Sequence, residues 1–164
     1  VVRLVGSEMC IRDRPMPDAS ADFVFVDPPY STHIRYTEQP ECIGTLDASG
    51  EDGGEAYYES MTQVISEIDR VLRNRRYMAL YVSDSWRKRK GAKGGGNGTF
   101  MPIGFELFSI LTRFFRPVDI IAVARGNRKL GRGNWHKSAE EGNYFLRGFN
   151  YLFIMKKQIE DVRR

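Results

Sequence analysis

Residues 18–30 read DASADFVFVDPPY, and this stretch decides the fold class. Residues 22–26 form a short apolar run of the kind that is typical of a buried parallel strand. The run ends at Asp27-Pro28-Pro29-Tyr30, here named the DPPY turn, because proline lacks an N–H donor and cannot continue a central strand. The sequence therefore predicts a buried strand that carries the DPPY turn at its carboxyl end.

Strand and helix patterns alternate along the rest of the chain. Apolar residues at three- and four-residue spacing predict amphipathic helices over residues 56–74 and 104–115. Short apolar runs predict strands at 77–82, 118–124 and 151–155. The alternation indicates an α/β domain with a mostly parallel sheet. We expect the last two strands to pair antiparallel at one edge, since no helix is predicted between them.

Two segments lack such patterns. Residues 31–55 are polar, acidic and glycine-bearing, which predicts a long loop. Residues 91–98, GAKGGGNG, predict a mobile loop rather than a phosphate cradle, because no strand and helix flank them at the required spacing.

Composition excludes several classes of protein. The 164 residues are 41% hydrophobic and 28% charged, which is enough for one domain with a core. The apolar runs are far shorter than the roughly 18–20 residues of a membrane span. Cys10 and Cys42 cannot form a disulfide framework, and no Cys/His cluster has zinc spacing. We therefore expect a cytoplasmic protein without a membrane span or a metal.

Residues 1–14, VVRLVGSEMCIRDR, read as foreign to the domain. They resemble the translated sequencing adapter that contaminates the ends of assembled environmental genes, and they show no sustained period or cap. We set them apart from the domain at 15–164, as a tag is set apart. The alternative is a short native strand.

The DPPY turn also carries the chemistry. Ionised Asp27 only accepts hydrogen bonds, and a proline turn presents carbonyl oxygens instead of N–H groups. Such an acceptor pair suits the two protons of an –NH2 group. Tyr30 offers a face to a planar ring, and stacking of this kind contributes about 1–3 kcal/mol per base in nucleic-acid sites. The turn lies where open α/β sheets bind ligands, so it predicts a site for an aromatic amine. The alternative is a plain strand-ending turn.

Two stretches of the chain are basic, and each is either a solvated loop or a contact for a polyanion. The first is Arg87–Lys90 with Lys93. The second lies in the predicted loop 125–147, which also contains Trp135 and His136. Its candidate nucleic-acid contacts are Arg125, Arg128, Lys129, Arg132 and Lys137. Its alternative is an exposed hairpin loop with Trp135 folded onto the core.

The DPPY turn, preceded by PDASADFVFV, resembles motif four of the amino-group DNA methyltransferases. These enzymes move a methyl group from S-adenosylmethionine to the exocyclic nitrogen of adenine or cytosine. Residues 68–84 are similar to the next helix and strand of that family, with Asn74-Arg75-Arg76 in place of its glycine-lysine turn. Residues 143–157 are similar to its last strand. The resemblance implies a Rossmann-like methyltransferase domain, with 15–164 as its C-terminal part and DNA as partner.

The resemblance also implies a role for each residue of the turn. Asp27 and the Pro28 carbonyl hold the target amine, and Tyr30 stacks on a base flipped out of the duplex. Pro29 keeps the turn rigid, and Asp27 and Pro29 border the methyl end of the cofactor. No strong base is needed, because nitrogen can attack first and lose its proton afterwards. Positioning then supplies most of the rate.

One element of the family is absent from the sequence of residues 15–164. This is the cofactor loop, an acidic or aromatic residue followed by Gly-x-Gly after a first strand. We expect it upstream of Pro15 or, in a permuted gene, beyond Arg164, and we expect this chain alone to bind the cofactor weakly or not at all. An RNA guanine amino-methyltransferase and a non-catalytic nucleic-acid-binding module are the alternatives. The sequence does not decide between adenine and cytosine as the target base. It also does not decide between a restriction-modification role and a solitary regulatory role.

Overall fold

A computed structural model describes residues 2–3, 16–31, 42–49, 52–88, 98–126, 135–142 and 145–158. The strands are β1 (Val2–Arg3), β2 (Ala21–Val26), β3 (Leu72–Val82), β4 (Ser85–Lys88), β5 (Gly98–Met101), β6 (Arg116–Ala124) and β7 (Phe149–Lys156). The helices are α1 (Glu55–Val71), α2 (Ile103–Leu111) and α3 (Trp135–Gly142). Within these residues, no helix is long and apolar enough to cross a membrane.

The main sheet has the strand order β1-β2-β3-β7-β6. β2 pairs parallel with β3, with Val24 opposite Met78 and Val26 opposite Leu80. β7 runs antiparallel to both β3 and β6, so β6 is parallel to β3. The predicted mostly parallel sheet and the antiparallel pairing of the last two strands are confirmed. β7 lies one position inside the sheet, so β6 is the edge strand.

Helices α1 and α2 cover one face of this sheet. α1 buries the apolar stripe that its spacing predicted, namely Tyr57, Met61, Val64, Ile65, Ile68 and Val71. These side chains join Val24, Met78 and Leu80 of the sheet in one hydrophobic core. Because β2-α1-β3 and β3-α2-β6 are both crossovers between parallel strands, the carboxyl ends of β2, β3 and β6 meet at one edge.

The start of α1 is fixed by local hydrogen bonds. Asp52 accepts the N–H of Gly54 at 2.9 Å and that of Ala56 at 3.2 Å, and these bonds lower the pKa of its carboxyl. Gly54 has a positive φ of 89°, and a Cβ there would collide with the carbonyl of Ala48. The segment 42–49, predicted as loop, therefore packs under the helix, with Cys42, Ile43, Gly44 and Ala48 buried.

Strand β3 begins earlier than the predicted 77–82. It starts at Leu72, directly after α1, and the pairing with β2 shifts register between Leu72 and Tyr77. Arg75 lies in this irregularity with a φ of +64°, a conformation that glycine adopts without strain. Residues 74–76 therefore form an irregularity within the strand in place of the predicted turn.

The expectation of no helix between the last two strands is wrong. α3 lies there, and it contains Lys137 and Glu141 at i,i+4 spacing with 3.7 Å between the ammonium and a carboxylate oxygen. Such pairs stabilise short exposed helices. The glycines before residue 135 concealed this helix, since they gave the whole stretch the composition of a loop.

The glycine-rich segment 91–98 falls largely outside the described residues, but the chain on either side of it is paired. β4 and β5 form an antiparallel hairpin, with Trp86 directly opposite Phe100. β4 follows β3 after only Ser83 and Asp84, so the hairpin starts at the carboxyl edge of the sheet.

Of the segment set apart by its sequence, residues 1–14, only Val2–Arg3 is described. It pairs parallel with β2, with Val2 opposite Val24 and Arg3 opposite Phe25. On the other side of β2 lies β3, so the strand that carries the DPPY turn has a neighbour on both sides.

Candidate active site

The DPPY turn lies at the carboxyl edge of the sheet, as its sequence predicted. Asp27 is exposed, whereas Pro28 and Pro29 are buried. The Tyr30 hydroxyl donates a hydrogen bond of 2.7 Å to Oδ1 of Asp27. Burial, followed by the bond to Asp27, raises the pKa of Tyr30 above its ordinary value. The phenol therefore stays protonated and orients the carboxylate.

A side chain of helix α1 fixes the position of the turn. The buried Tyr57 hydroxyl donates a hydrogen bond of 2.8 Å to the carbonyl oxygen of Pro29. This contact takes the Pro29 carbonyl into the core, so the predicted acceptor for an amine is the carbonyl of Pro28. Because Tyr57 comes from a helix that is packed on the sheet, the turn is tied to the rigid part of the fold.

The residue after the turn is also fixed. Ser31 is buried, and its φ of +63° is unusual for a residue other than glycine. Its Oγ accepts the backbone N–H of Ala48 at 2.9 Å and lies 3.4 Å from Oδ1 of Asp47. Segment 42–49 therefore sets the direction in which the chain leaves the turn.

The end of β3 contributes a buried carboxylate to the same edge. The Asp84 side chain is 2% exposed, and its Oδ1 accepts the N–H of Gly104 at 2.8 Å at the start of α2. Its Oδ2 lies 2.9 Å from a guanidinium nitrogen of Arg147 and accepts a hydrogen bond of 3.2 Å from the Tyr151 hydroxyl. Burial and then the Asp84 charge raise the pKa of Tyr151. Asp84 thus joins α2 to the segment before β7.

Arg125 belongs to this edge rather than to an outlying loop. Its guanidinium donates hydrogen bonds to Ser83 Oγ and to Asn150 Oδ1, and its backbone N–H donates to Gly148 O at 2.7 Å. The end of β6 is therefore tied to the end of β3 and the start of β7. The charge of Arg125 also reaches Tyr30, where it opposes the rise in the phenol pKa.

The structure brings only some of the predicted site residues together. Asp27, Pro28, Pro29, Tyr30 and Arg125 all lie at the carboxyl edge. Lys137 is exposed on α3 and paired with Glu141. The remaining candidates, Arg128, Lys129 and Arg132, lie outside the described residues.

The sequence did not single out the polar residues that support this edge. Tyr57 was counted only as a core position of α1, which it also is. Ser83 and Asp84 carried a usable signal, because they follow a buried strand directly, as the DPPY turn does. Arg147 and Asn150 carried none, because β7 runs antiparallel and its first residues reach the carboxyl edge only in the folded chain.

The residues of the DPPY turn fit the reacting end of a cationic cofactor. They do not provide a site for the rest of the cofactor. Exposed Asp27 is an anionic acceptor at an edge where a sulfonium can be stabilised by charge. The sequence at 15–164 has no acidic or aromatic residue followed directly by Gly-x-Gly, which is the loop that the resemblance implies for the ribose and the amino acid end of the cofactor. Among the described side chains, no group of three or more His, Cys, Asp or Glu residues is arranged to hold a metal ion.

Solved structures of similar shape include a DNA methylase. One is a provisionally named DNA modification methylase from Thermus thermophilus, which superposes with a TM-score of 0.57 at 15% identity over 91% of this chain and 50% of that chain. A structure of the same protein complexed with S-adenosyl-L-methionine gives a TM-score of 0.57 at 15% identity, over 91% of this chain and 52% of that one.

This likeness shows the fold alone, which is Rossmann-like. The chain spans about half the length of these solved structures. No protein-family profile matches the chain, and no curated protein matches it in sequence.

Proposed function

We propose that this chain is the amine-binding part of an S-adenosylmethionine-dependent DNA methyltransferase that acts on the exocyclic amine of adenine or cytosine. One observation carries the proposal: an exposed carboxylate beside a rigid proline turn ends a parallel strand of a methyltransferase-like fold. The DNA modification methylase among the solved structures of similar shape supports the choice of substrate.

Each residue of the turn has a task in this proposal. Asp27 and the Pro28 carbonyl accept the two protons of the amine, which directs the nitrogen lone pair outward. Tyr30 keeps its hydroxyl on Asp27, at 2.7 Å, and offers its ring to the base. Pro29, held by Tyr57, prevents the turn from moving when the base enters. The rate gain comes from this positioning, because the amine can lose its proton after it has attacked.

S-adenosylmethionine supplies, when bound, a methyl group made electrophilic by a positive sulfur. The carboxylate of Asp27 lies at the edge where that charge is expected, and Pro29 borders it. We propose that the loop that grips the rest of the cofactor is encoded outside residues 15–164. The cations of the 125–147 segment, Arg125, Arg128, Lys129, Arg132 and Lys137, are proposed to contact the DNA backbone.

Methyl transfer tests the proposal directly. The protein expressed from the full reading frame around residues 15–164 is given tritiated S-adenosylmethionine with duplex DNA and, separately, with structured RNA. We expect label in DNA. Asp27→Asn should reduce the rate about 100-fold or more, as the loss of one preorganised polar contact does at other active sites. Asp119→Asn, an exposed carboxyl near the start of β6, is the matched control and should leave the rate unchanged.

The outcomes separate the alternatives. Label in RNA alone would replace the DNA substrate with an RNA one. Equal rates for wild type and Asp27→Asn would show that the DPPY turn does not bind the amine. Binding of nucleic acid without any transfer of label would favour a non-catalytic binding module.

The location of the cofactor loop has its own test. Calorimetric titration of S-adenosylmethionine into the 164-residue chain should show no micromolar binding. Micromolar affinity would place the cofactor pocket within this chain and overturn that part of the proposal.

A further inference from the structure

The β4–β5 hairpin displays two aromatic rings side by side. Trp86 and Phe100 face each other across the hairpin, with 5.7 Å between ring centroids. Trp86 is 39% exposed and Phe100 is 42% exposed, so both rings keep a large part of their surface in water. A cross-strand aromatic pair stabilises a hairpin, but that role does not require exposed rings.

The side chain of Arg147 connects the hairpin to the candidate active site. The guanidinium of Arg147 lies over the Phe100 ring, 4.8 Å from its centroid, and 2.9 Å from Oδ2 of Asp84. Asp84 comes two residues after β3 ends, at the edge that carries the DPPY turn. The aromatic pair therefore lies on an extension of that edge.

The residues that follow the pair in sequence favour an anionic partner. The basic run Arg87–Lys90 comes directly after Trp86, and Arg147, which also pairs with Asp84, lies over the Phe100 ring. Exposed aromatic rings among cations are the combination that binds unpaired nucleic-acid strands, in which bases stack on the rings while the cations attract the phosphates.

We propose that Trp86 and Phe100 form a stacking surface for bases of an unpaired nucleic-acid strand next to the DPPY turn. The proposal rests on the proposed function for the class of ligand, since a flipped base leaves its partner strand unpaired. It does not depend on methyl transfer. It assigns a base-binding role to the hairpin, whereas Arg128, Lys129 and Arg132 are proposed only as contacts for the DNA backbone.

Tryptophan fluorescence tests this surface without any cofactor. The chain has two tryptophans, so Trp135→Phe leaves Trp86 as the single reporter. An unlabelled single-stranded oligothymidylate is titrated into this variant, and the same sequence paired into a duplex is titrated separately. We expect saturable quenching of Trp86 by the single strand and weaker quenching by the duplex.

The partner ring supplies a second readout. Phe100→Leu should weaken single-strand affinity, measured by anisotropy of a labelled oligonucleotide, by about 5- to 100-fold, the loss of one base stack. Phe100→Tyr keeps the ring and should keep the affinity. Tyr77→Leu is the matched control, because Tyr77 is 40% exposed with Lys156 5.1 Å from its ring centroid, but it lies in the middle of β3, away from the carboxyl edge.

Failure of this surface is distinguishable from failure of the proposed function. Binding of the oligonucleotide without quenching of Trp86, or unchanged affinity in Phe100→Leu, would overturn the stacking surface even if the full enzyme methylates DNA. Quenching of Trp86 without methyl transfer by the full protein would support the stacking surface and contradict the proposed methyltransferase activity. If Phe100→Leu does not fold, Phe100→Tyr and the quenching of Trp86 still decide the matter.

Discussion

The hydroxyl of Tyr57 donates a hydrogen bond of 2.8 Å to the carbonyl oxygen of Pro29, so the first turns of α1 hold the end of β2. Tyr57 is fully buried, and this burial raises the pKa of its phenol above the ordinary value. The phenol is therefore protonated at neutral pH and acts as a hydrogen-bond donor. A core residue of the helix thus also fixes the turn that carries Asp27.

Removing this hydroxyl should cost stability and loosen the turn. Tyr57→Phe leaves the buried Pro29 carbonyl without its donor, which costs about 1–3 kcal/mol of unfolding free energy. Urea denaturation followed by circular dichroism measures the change. Tyr58→Phe is the control: burial raises the pKa of Tyr58 to about 12, but its hydroxyl is not the one on Pro29. Equal losses in the two variants would contradict a specific role for Tyr57.

The buried pair of Asp84 and Arg147 predicts a second stability effect. Arg147→Met leaves the Asp84 carboxylate buried without its cation, which costs about 3–5 kcal/mol of unfolding free energy. Asp84→Asn keeps an oxygen for the N–H of Gly104, so the double variant Asp84→Asn with Arg147→Met should recover part of that loss. Thermal and urea denaturation of the four proteins complete the double-mutant cycle. Additive losses would show that the two side chains do not interact.

The sequence predicted best those elements whose apolar pattern is continuous or regularly spaced. The apolar run at 22–26 and the helical spacing in α1 both gave elements within a few residues of their observed limits. Prolines then fixed where β2 stops. These signals are local, so they do not depend on which strands become neighbours.

The supporting residues of the site could not be predicted, because they depend on contacts between distant segments. Asp84 meets Arg147, and Arg125 meets Ser83 and Asn150, only after β7 inserts antiparallel between β3 and β6. The hairpin and α3 were missed for a different reason. Glycine-rich and basic neighbours concealed short elements whose stability comes from pairing, as between Trp86 and Phe100.

The basic residues of the 125–147 segment predict a change in salt dependence. Replacing Arg128, Lys129 and Arg132 with Gln should weaken DNA binding on all sequences and flatten the plot of log affinity against log salt. The slope should fall by about 0.9 for each lost phosphate contact. Arg113→Gln with Arg116→Gln removes charge at the amino edge of the sheet and serves as control. An unchanged slope in the triple variant would make this segment a solvated loop.

Asp22 predicts a dependence of stability on pH. The hydrogen bond of 2.8 Å from Arg73 lowers the pKa of Asp22, desolvation opposes it, and the Arg73 and Arg76 charges add to the lowering, so the net shift is downward. A lowered pKa stabilises the folded state above the unfolded pKa of about 3.9, and this stabilisation is lost as pH falls through the folded pKa. Asp22→Asn should therefore lower the urea midpoint at about pH 7 and have little effect at about pH 2.

The cause of the lowered pKa can be removed separately. In an Arg73→Gln background the Asp22→Asn substitution should change the urea midpoint much less at neutral pH, because the principal donor to the carboxylate is already gone. An equal effect of Asp22→Asn in both backgrounds would assign the stabilisation to another partner.

Arg75 predicts a substitution that stabilises the protein. Its φ of +64° lies in the left-handed region, which costs a residue with a Cβ roughly 1–2 kcal/mol. Glycine avoids that cost but loses more entropy on folding, about 0.5–1 kcal/mol. Arg75→Gly should therefore raise the unfolding free energy by up to about 1 kcal/mol, measured by urea denaturation. The backbone N–H of residue 75 keeps its 3.1 Å bond to Lys157 O in either case. Arg75→Ala removes the same charged side chain but retains the Cβ, so it should not raise the unfolding free energy. A gain as large as that of Arg75→Gly would assign the effect to the lost charge instead of backbone strain.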